Sequence, residues 1–278
     1  LRSAGNLTLQ GYSYAASGSG RGVDLNNDVI AASGTVSMTG QHNTGATYAL
    51  SLSGSTSITA GTGVTLESLN NNTGTIALLS SGGINGGSGT VLMRAANYAF
   101  GGADRTITTT GVLTIEPDAD ENSFASSFDN QYLNPVNVTG LTLGKSSNAS
   151  AITLSRAISL SGPVSIYGGS IDVNANITAN SGNILLDADT GSTLNQSSTG
   201  ILLDDVITIE TVTSGNLTLI GRSGDTGSGF DGIDASSANT TTLRSAGNLT
   251  LQGYSYAASG SGRGVDLNND VIAASGTV

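Results

Sequence analysis

Apolar residues in this chain fall in short alternating pairs, and each pair is led by a glycine. The segments are GNLTL (5–9), GTVSM (34–38), GVTL (63–66), GTVLM (89–93), GVLTI (111–115), GLTL (140–143), GPVSI (162–166), GNILL (182–186), GNLTL (215–219) and GNLTL (247–251). Apolar–polar–apolar is a period of two, the signature of a short strand with one buried face. The first apolar residues are Leu7, Val36, Val64, Val91, Leu113, Leu141, Val164, Ile184, Leu217 and Leu249, with steps of 29, 28, 27, 22, 28, 23, 20, 33 and 32. The glycine ahead of each pair predicts a corner with positive φ, where a residue without Cβ is favoured.

A second and third strand precede several of these corners. Val23-x-Leu25 leads to Val29 and then Val36-x-Met38; Ile171-x-Val173 leads to Ile177 and then Ile184-x-Leu186. Ile152-x-Leu154, Ile158 and Val164-x-Ile166 repeat the scheme one residue shorter. Three short strands per turn, aligned from turn to turn, describe a β-solenoid. Gly, Thr, Ser, Asn and Val make poor helix interiors, and no long 3.6-residue period is present. A parallel crossover is overwhelmingly right-handed, so the fold expected is all-β, a right-handed parallel β-helix.

A much longer repeat overlies this one. Residues 1–36 and 243–278 are the same string, LRSAGNLTLQGYSYAASGSGRGVDLNNDVIAASGTV. The offset is 243 − 1 = 242, which equals the sum of the nine steps. The chain therefore reads as one full period, 1–242, followed by the start of the next, 243–278, with about nine coils per period. A unit copied end to end suits a fibre. It suits an enzyme poorly, since every period would duplicate the catalytic site.

Composition narrows the class. Of 278 residues, 40 are Gly, 3 are Pro and none is Cys or Trp, and charged residues make up 10%. Disulfides and thiolate metal sites are excluded. No apolar run is long enough to span a bilayer. The net charge is −11 (9 basic against 20 acidic residues). That argues against nucleic acid, which requires a basic stripe, and against electrostatic docking on anionic membranes. Repeated negative charge keeps neighbouring fibres apart and attracts divalent cations.

The recurring G-N-L-T-L, preceded by S-G or A-G, resembles the shaft repeats of filamentous-haemagglutinin-type adhesins. The resemblance extends over nearly the whole period as a pattern, although the motif is short and degenerate. It implies a large bacterial exoprotein with a right-handed β-helical shaft, exported through a partner outer-membrane pore. Thirty-six identical residues recurring at a 242-residue period are far more regular than shafts of that family, which places a pure filament role level with adhesion.

Coil lengths of 20 to 33 residues leave excess chain for loops. In the loop at 116–123, Asp118, Asp120 and Asn122 have the D-x-D-x-N spacing that opens a calcium loop. The following Gly and the distant bidentate Glu are missing, so a solvated acidic turn is the competing reading. Calcium is the one cofactor the sequence offers. Phe124, Phe128 and Tyr132 stand at i, i+4 and i+8, one face of a short decorating helix. Its aromatics either cover the coil beneath or make a lateral or ligand contact. Tyr12 and Tyr14, repeated as Tyr254 and Tyr256, lie in a Gly/Ser-rich loop that either stacks on sugars or folds over the coil.

Other carboxylates pair in sequence: Asp24 with Asp28, Asp187 with Asp189, Asp204 with Asp205, and Asp225 with Asp231 and Asp234. Clustered aspartates serve carbohydrate-cleaving β-helices, and Asp204-Asp205 resembles the paired aspartates of polygalacturonases. Those enzymes also need a His between glycines and an Arg/Lys pair on neighbouring coils. Here His42 is the sole histidine and Lys145 the sole lysine. Asn26-Asn27 and Asn70-Asn71-Asn72 read as corner residues that cap backbone groups.

The function expected is thus not enzymatic. The chain reads as the structural repeat of a bacterial cell-surface filament or adhesin stalk. Its partners would be identical repeats end to end, and cell-surface glycans or neighbouring fibres along the shaft.

Overall fold

The computed structural model describes residues 1–14, 20–42, 48–69, 74–79, 82–188, 198–226, 228–235, 240–267 and 271–278. Asn70–Asn72 and Asp189 lie outside these residues. All secondary structure among them is β, and every strand pair is parallel. The chain forms two compact blocks. The first comprises Leu1–Ser126 with Tyr132–Thr142, the second Ser127–Gln131 with Leu143–Val278.

In the first block the chain passes repeatedly through three sheets. One stacks Leu7–Ser13, Val36–His42, Val64–Ser68, Val91–Arg94 and Val112–Glu116. The second stacks Arg2–Ser3, Val29–Ala31, Ile58–Ala60, Ile84–Asn85, Arg105–Thr108 and Leu133–Val136. The third stacks Arg21–Leu25, Tyr48–Leu52, Thr75–Leu78 and Asn97–Phe100. The second block repeats the scheme. Its sheets are built on Val164–Tyr167, Ile184–Ala188, Leu217–Arg222 and Leu249–Tyr254; on Phe128–Asp129 through Val265–Leu267; and on Ile158–Leu160 through Val271–Ala274. Successive strands thus enter different sheets, and each sheet grows by one strand per turn of chain. This arrangement is solenoid-like.

The register aligns the residues that the glycine-led pattern aligns. Leu7, Val36, Val64, Val91 and Leu113 face one another in the first block. Val164, Ile184, Leu217 and Leu249 do so in the second. In Val91–Arg94 and Leu217–Arg222 the aligned residues are buried and the residues between them half-buried. Each buried Leu, Ile or Val contributes roughly 1.5–3 kcal/mol gross, most of it offset by chain entropy. One turn of chain buries too few such residues to stand alone, so stability comes from stacking turn on turn.

Side chains extend the ladder through the corners. Asn183 Oδ1 accepts the Asn216 N–H at 2.9 Å, Asn216 Oδ1 accepts the Asn248 N–H at 2.9 Å, and Asn248 Oδ1 accepts the Thr277 N–H at 2.9 Å. Each asparagine therefore holds a corner amide of the next turn, in place of water, at an exposed position. The corner glycines mostly serve this stacking rather than a left-handed φ. Gly63, Gly182 and Gly215 do have positive φ, but Gly34, Gly89 and Gly247 do not. At Gly89 a Cβ would lie 1.7 Å from the Thr62 carbonyl oxygen, and at Gly247 it would lie 2.5 Å from Asn216 Oδ1. The space is already filled by the turn below.

The helix expected across Phe124, Phe128 and Tyr132 is not formed. Ala125 N–H donates to Ala96 O at 2.8 Å, as a stacked turn does, and Phe128–Asp129 is a strand aligned with Ile152 and Thr153. Spacings of four also arise where turns join short strands, so this aromatic spacing does not specify a helix.

Candidate functional site

The acidic turn after Val112–Glu116 uses part of its charge internally. Glu116 Oε1 accepts from Arg94 Nε at 2.5 Å, and Arg94 also faces Glu67 at 3.9 Å, so one guanidinium lies between two carboxylates of successive strands. The Glu116 carbonyl accepts the Tyr98 hydroxyl at 3.1 Å. Burial, then the Glu116 charge, pushes the Tyr98 phenol well above its usual range. Beyond it, the Glu121 N–H donates to the Asp118 carbonyl at 3.0 Å and closes the turn. Asp118 is buried, while Asp120 and Asn122 are exposed. The D-x-D-x-N spacing is therefore divided between interior and surface.

The aromatics that follow are core residues. Phe124 and Phe128 are each 4% exposed. The Phe124 ring meets Tyr98 edge-on, with centroids 5.9 Å apart at 77°. Tyr132 is half-buried and tilts against Phe100 at 6.4 Å. Burial removes Phe124 and Phe128 from any lateral or glycan contact.

Tyr12 and Tyr14 are the exposed pair, at 52% and 83%. They stand where Leu7–Ser13 runs past a tight neck: a Cβ on Gly11 would lie 1.9 Å from the Gly22 carbonyl oxygen. Tyr12 is aligned with Gln41, and Ser13 with the buried His42. Together Tyr12, Ser13, Tyr14, Gln41 and His42 line a shallow hollow. The second copy repeats the neck, where a Gly253 Cβ would lie 1.7 Å from the Gly264 carbonyl oxygen. There the Arg222 guanidinium lies 4.5 Å from the centre of the Tyr256 ring, and Tyr254 is aligned with Arg222. Aromatic faces beside planar donors can bind a polyol.

A carboxylate group that the linear spacing does not reveal lies on the second block. The ligating oxygens of Asp231, Asp234 and Asp266 come within 4.8 Å of one another, the one such group of three among the described residues. Asp225, which lies near Asp231 and Asp234 in sequence, is replaced by Asp266. The signal was the ladder, because Ile233–Ala235 pairs with Val265–Leu267 and sets Asp234 directly below Asp266. Asp231 accepts the Arg263 N–H, and the Arg263 guanidinium pairs with Asp266. Burial, then the neighbouring Asp234 and Asp266 charges, raises the Asp231 carboxyl, against the lowering hydrogen bond from Arg263. Three carboxylates are donors of the kind a hard divalent cation takes, but Arg263 already supplies positive charge there.

Asp204 and Asp205 sit in an exposed turn, where Asp205 Oδ1 accepts the Val206 N–H at 3.0 Å. Asp172, one strand away, is raised by burial first and then by Asp204 and Asp129, while its hydrogen bond from Asn174 acts the other way.

No family model, no curated protein and no solved structure matches this chain.

Proposed function

We propose that the chain is one period of a long bacterial extracellular filament or adhesin stalk, folded as a right-handed parallel β-helix of about nine coils per 242 residues. Its work is mechanical: a stiff shaft that projects from, or links, cells. The observation that carries this reading is the position of the second copy. Residues 249–254 continue the sheet of Leu217–Arg222 in register, and Leu249 is 3% exposed. The string that opens a period is thus also the string that follows one. Coils spaced by about 4.8 Å advance the shaft by roughly 43 Å per period. Electron microscopy of polypeptides carrying one, two and three periods tests this. Rods that lengthen by that increment are expected; globular particles, or an increment far from it, would sink the proposal.

A second reading has its own observation, the exposed Tyr12 and Tyr14 above Gln41 and His42. In it the shaft carries one glycan-binding shelf per period. Binding of the chain to a glycan array, lost in Tyr12→Ala/Tyr14→Ala/Tyr254→Ala/Tyr256→Ala, is the result expected of it. An array with no signal ends it.

A further inference from the structure

We infer that Asn85 is a self-modification site gated by the strand that covers its neighbour Gly86. While the ladder is closed the site is silent; local opening converts Asn85 irreversibly to aspartate or isoaspartate. The inference is independent of the filament reading.

The sequence holds one Asn-Gly pair, at 85–86. An asparagine carboxamide can be attacked by the backbone nitrogen of the next residue, and glycine, having no Cβ, hinders that approach least. Asn85 ends the short strand Ile84–Asn85 and is exposed. Its Oδ1 accepts the Gly87 N–H at 2.9 Å. That bond polarises the carboxamide and faces the oxygen on which negative charge gathers during attack, the arrangement that lowers an acyl-transfer barrier. The electrophile is thus prepared.

The nucleophile is restrained. The Gly86 N–H donates to the Thr108 carbonyl at 2.8 Å, which holds its proton and keeps the nitrogen in the ladder. Strand Arg105–Thr108 supplies that carbonyl and is anchored over Ile84 by the fully buried Ile107. Attack requires this bond to break first, and a local opening of Arg105–Thr108 is enough. Solvent hydroxide then takes the Gly86 amide proton, and the nitrogen bonds to Asn85 Cγ. The bond from Cγ to the side-chain nitrogen breaks, and that nitrogen leaves as ammonia with a proton from water. A second water opens the cyclic imide at either carbonyl. The net exchange is a carboxamide and one water for a carboxyl and one ammonia.

Isoaspartate adds a carbon to the main chain, and the turn beyond it has no slack. The Ser88 N–H donates to Gly61 O at 3.0 Å, the Thr110 N–H donates to Gly87 O at 2.9 Å, and a Cβ on Gly87 would lie 2.2 Å from Gly61 O. The lengthened strand cannot regain its register with Thr59 and Thr108, so each such conversion records an opening.

The test is incubation of the full chain at mildly alkaline pH, with the peptide carrying Asn85 followed by mass spectrometry and fragmentation. The folded wild type converts Asn85 roughly tenfold or more slowly than the chain unfolded in urea. Urea below the unfolding midpoint speeds conversion at Asn85 more than at Asn180, which precedes Ser181 in the second block. Ile107→Val and Ile107→Ala, which loosen the strand over Ile84, have the same effect without urea, and Asn85→Gln abolishes the reaction. The product is a mixture of aspartate and isoaspartate, as a cyclic imide requires. Folded wild type that converts as fast as the unfolded chain overturns the gate, and so does conversion that begins only with global unfolding. Aspartate alone would mean direct hydrolysis by water and would overturn the self-modification.

Discussion

Leu7 and Leu249 occupy the same place in one 36-residue string, yet the first is half-buried and the second is 3% exposed. The contrast continues along the string. Tyr14 is 83% exposed, while Tyr256 is 45% exposed with a guanidinium over its ring. Asn6 and Asn248 both accept a threonine N–H from the turn above, at 3.0 and 2.9 Å, but only Asn248 also donates its own N–H to an asparagine below. Features internal to the string do not change: Arg21 pairs with Asp24, and Arg263 with Asp266. Local ion pairs are therefore written in the string, whereas burial is supplied by the neighbouring turn.

Register belongs to the second category. In the first copy Arg2 is aligned with Ile30; in the second, Arg244 is aligned with Ala273, a slip of one residue. Val29–Ala31 is held from both sides, by Arg2–Ser3 and by Ile58–Ala60. Val271–Ala274 is paired on one side. A one-residue slip exchanges the faces of a strand, so register is fixed only where neighbours bury one face.

The comparison can be broken most strongly at the leucines. Leu249→Ala should destabilise the second block by about 2–5 kcal/mol, as truncation of a buried leucine does. Leu7→Ala should cost less than half as much, and denaturant titration of the two variants measures the difference. Asn216→Ala is next. It removes the acceptor of the Asn248 N–H at an exposed corner and should cost about 0.5–1.5 kcal/mol, read as faster amide exchange at residue 248 with no change at residue 6. Arg222→Ala should cost about 0.5–1 kcal/mol and raise the reactivity of Tyr256 towards iodination to that of Tyr14. Glu210→Gln removes an exposed pair and should change stability by about 0–1 kcal/mol, with an effect that fades in salt.

The smallest expected effect concerns protons. Asp231 titrates higher in the folded chain than in the unfolded one, chiefly through burial. Between those two values the folded state binds more protons, so stability falls as pH rises through the window and returns on acidification. Asp231→Asn should flatten that part of a melting-temperature profile while keeping an acceptor for the Arg263 N–H. An unchanged profile would assign that loss of stability with rising pH elsewhere, with Asp172 the next candidate.

The strands were legible because burial repeats with the period of a strand. Ile152 below Ile171, Ile158 below Ile177 and Val164 below Ile184 follow directly from spacing. The exposure of Tyr12 and Tyr14 was legible as one of two alternatives. The three-aspartate group was not, because turns of unequal length set which residues of successive strands meet, and Asp266 lies 32 positions beyond Asp234 in the sequence. The corner glycines were legible as corners but not in their main reason. Crowding by the turn below leaves no mark within the local sequence.

The asparagine ladder has a consequence for inheritance. Asn248 receives from the turn beneath and supplies the turn above, and Asn6 offers the same acceptor to Thr35. On the filament reading, a misaligned recombination between the coding sequences of the two identical stretches would insert or remove 242 residues as a block. Every surviving corner amide would keep an acceptor of the same kind. Shaft length could then drift between generations in whole steps, with no mutation in any buried position.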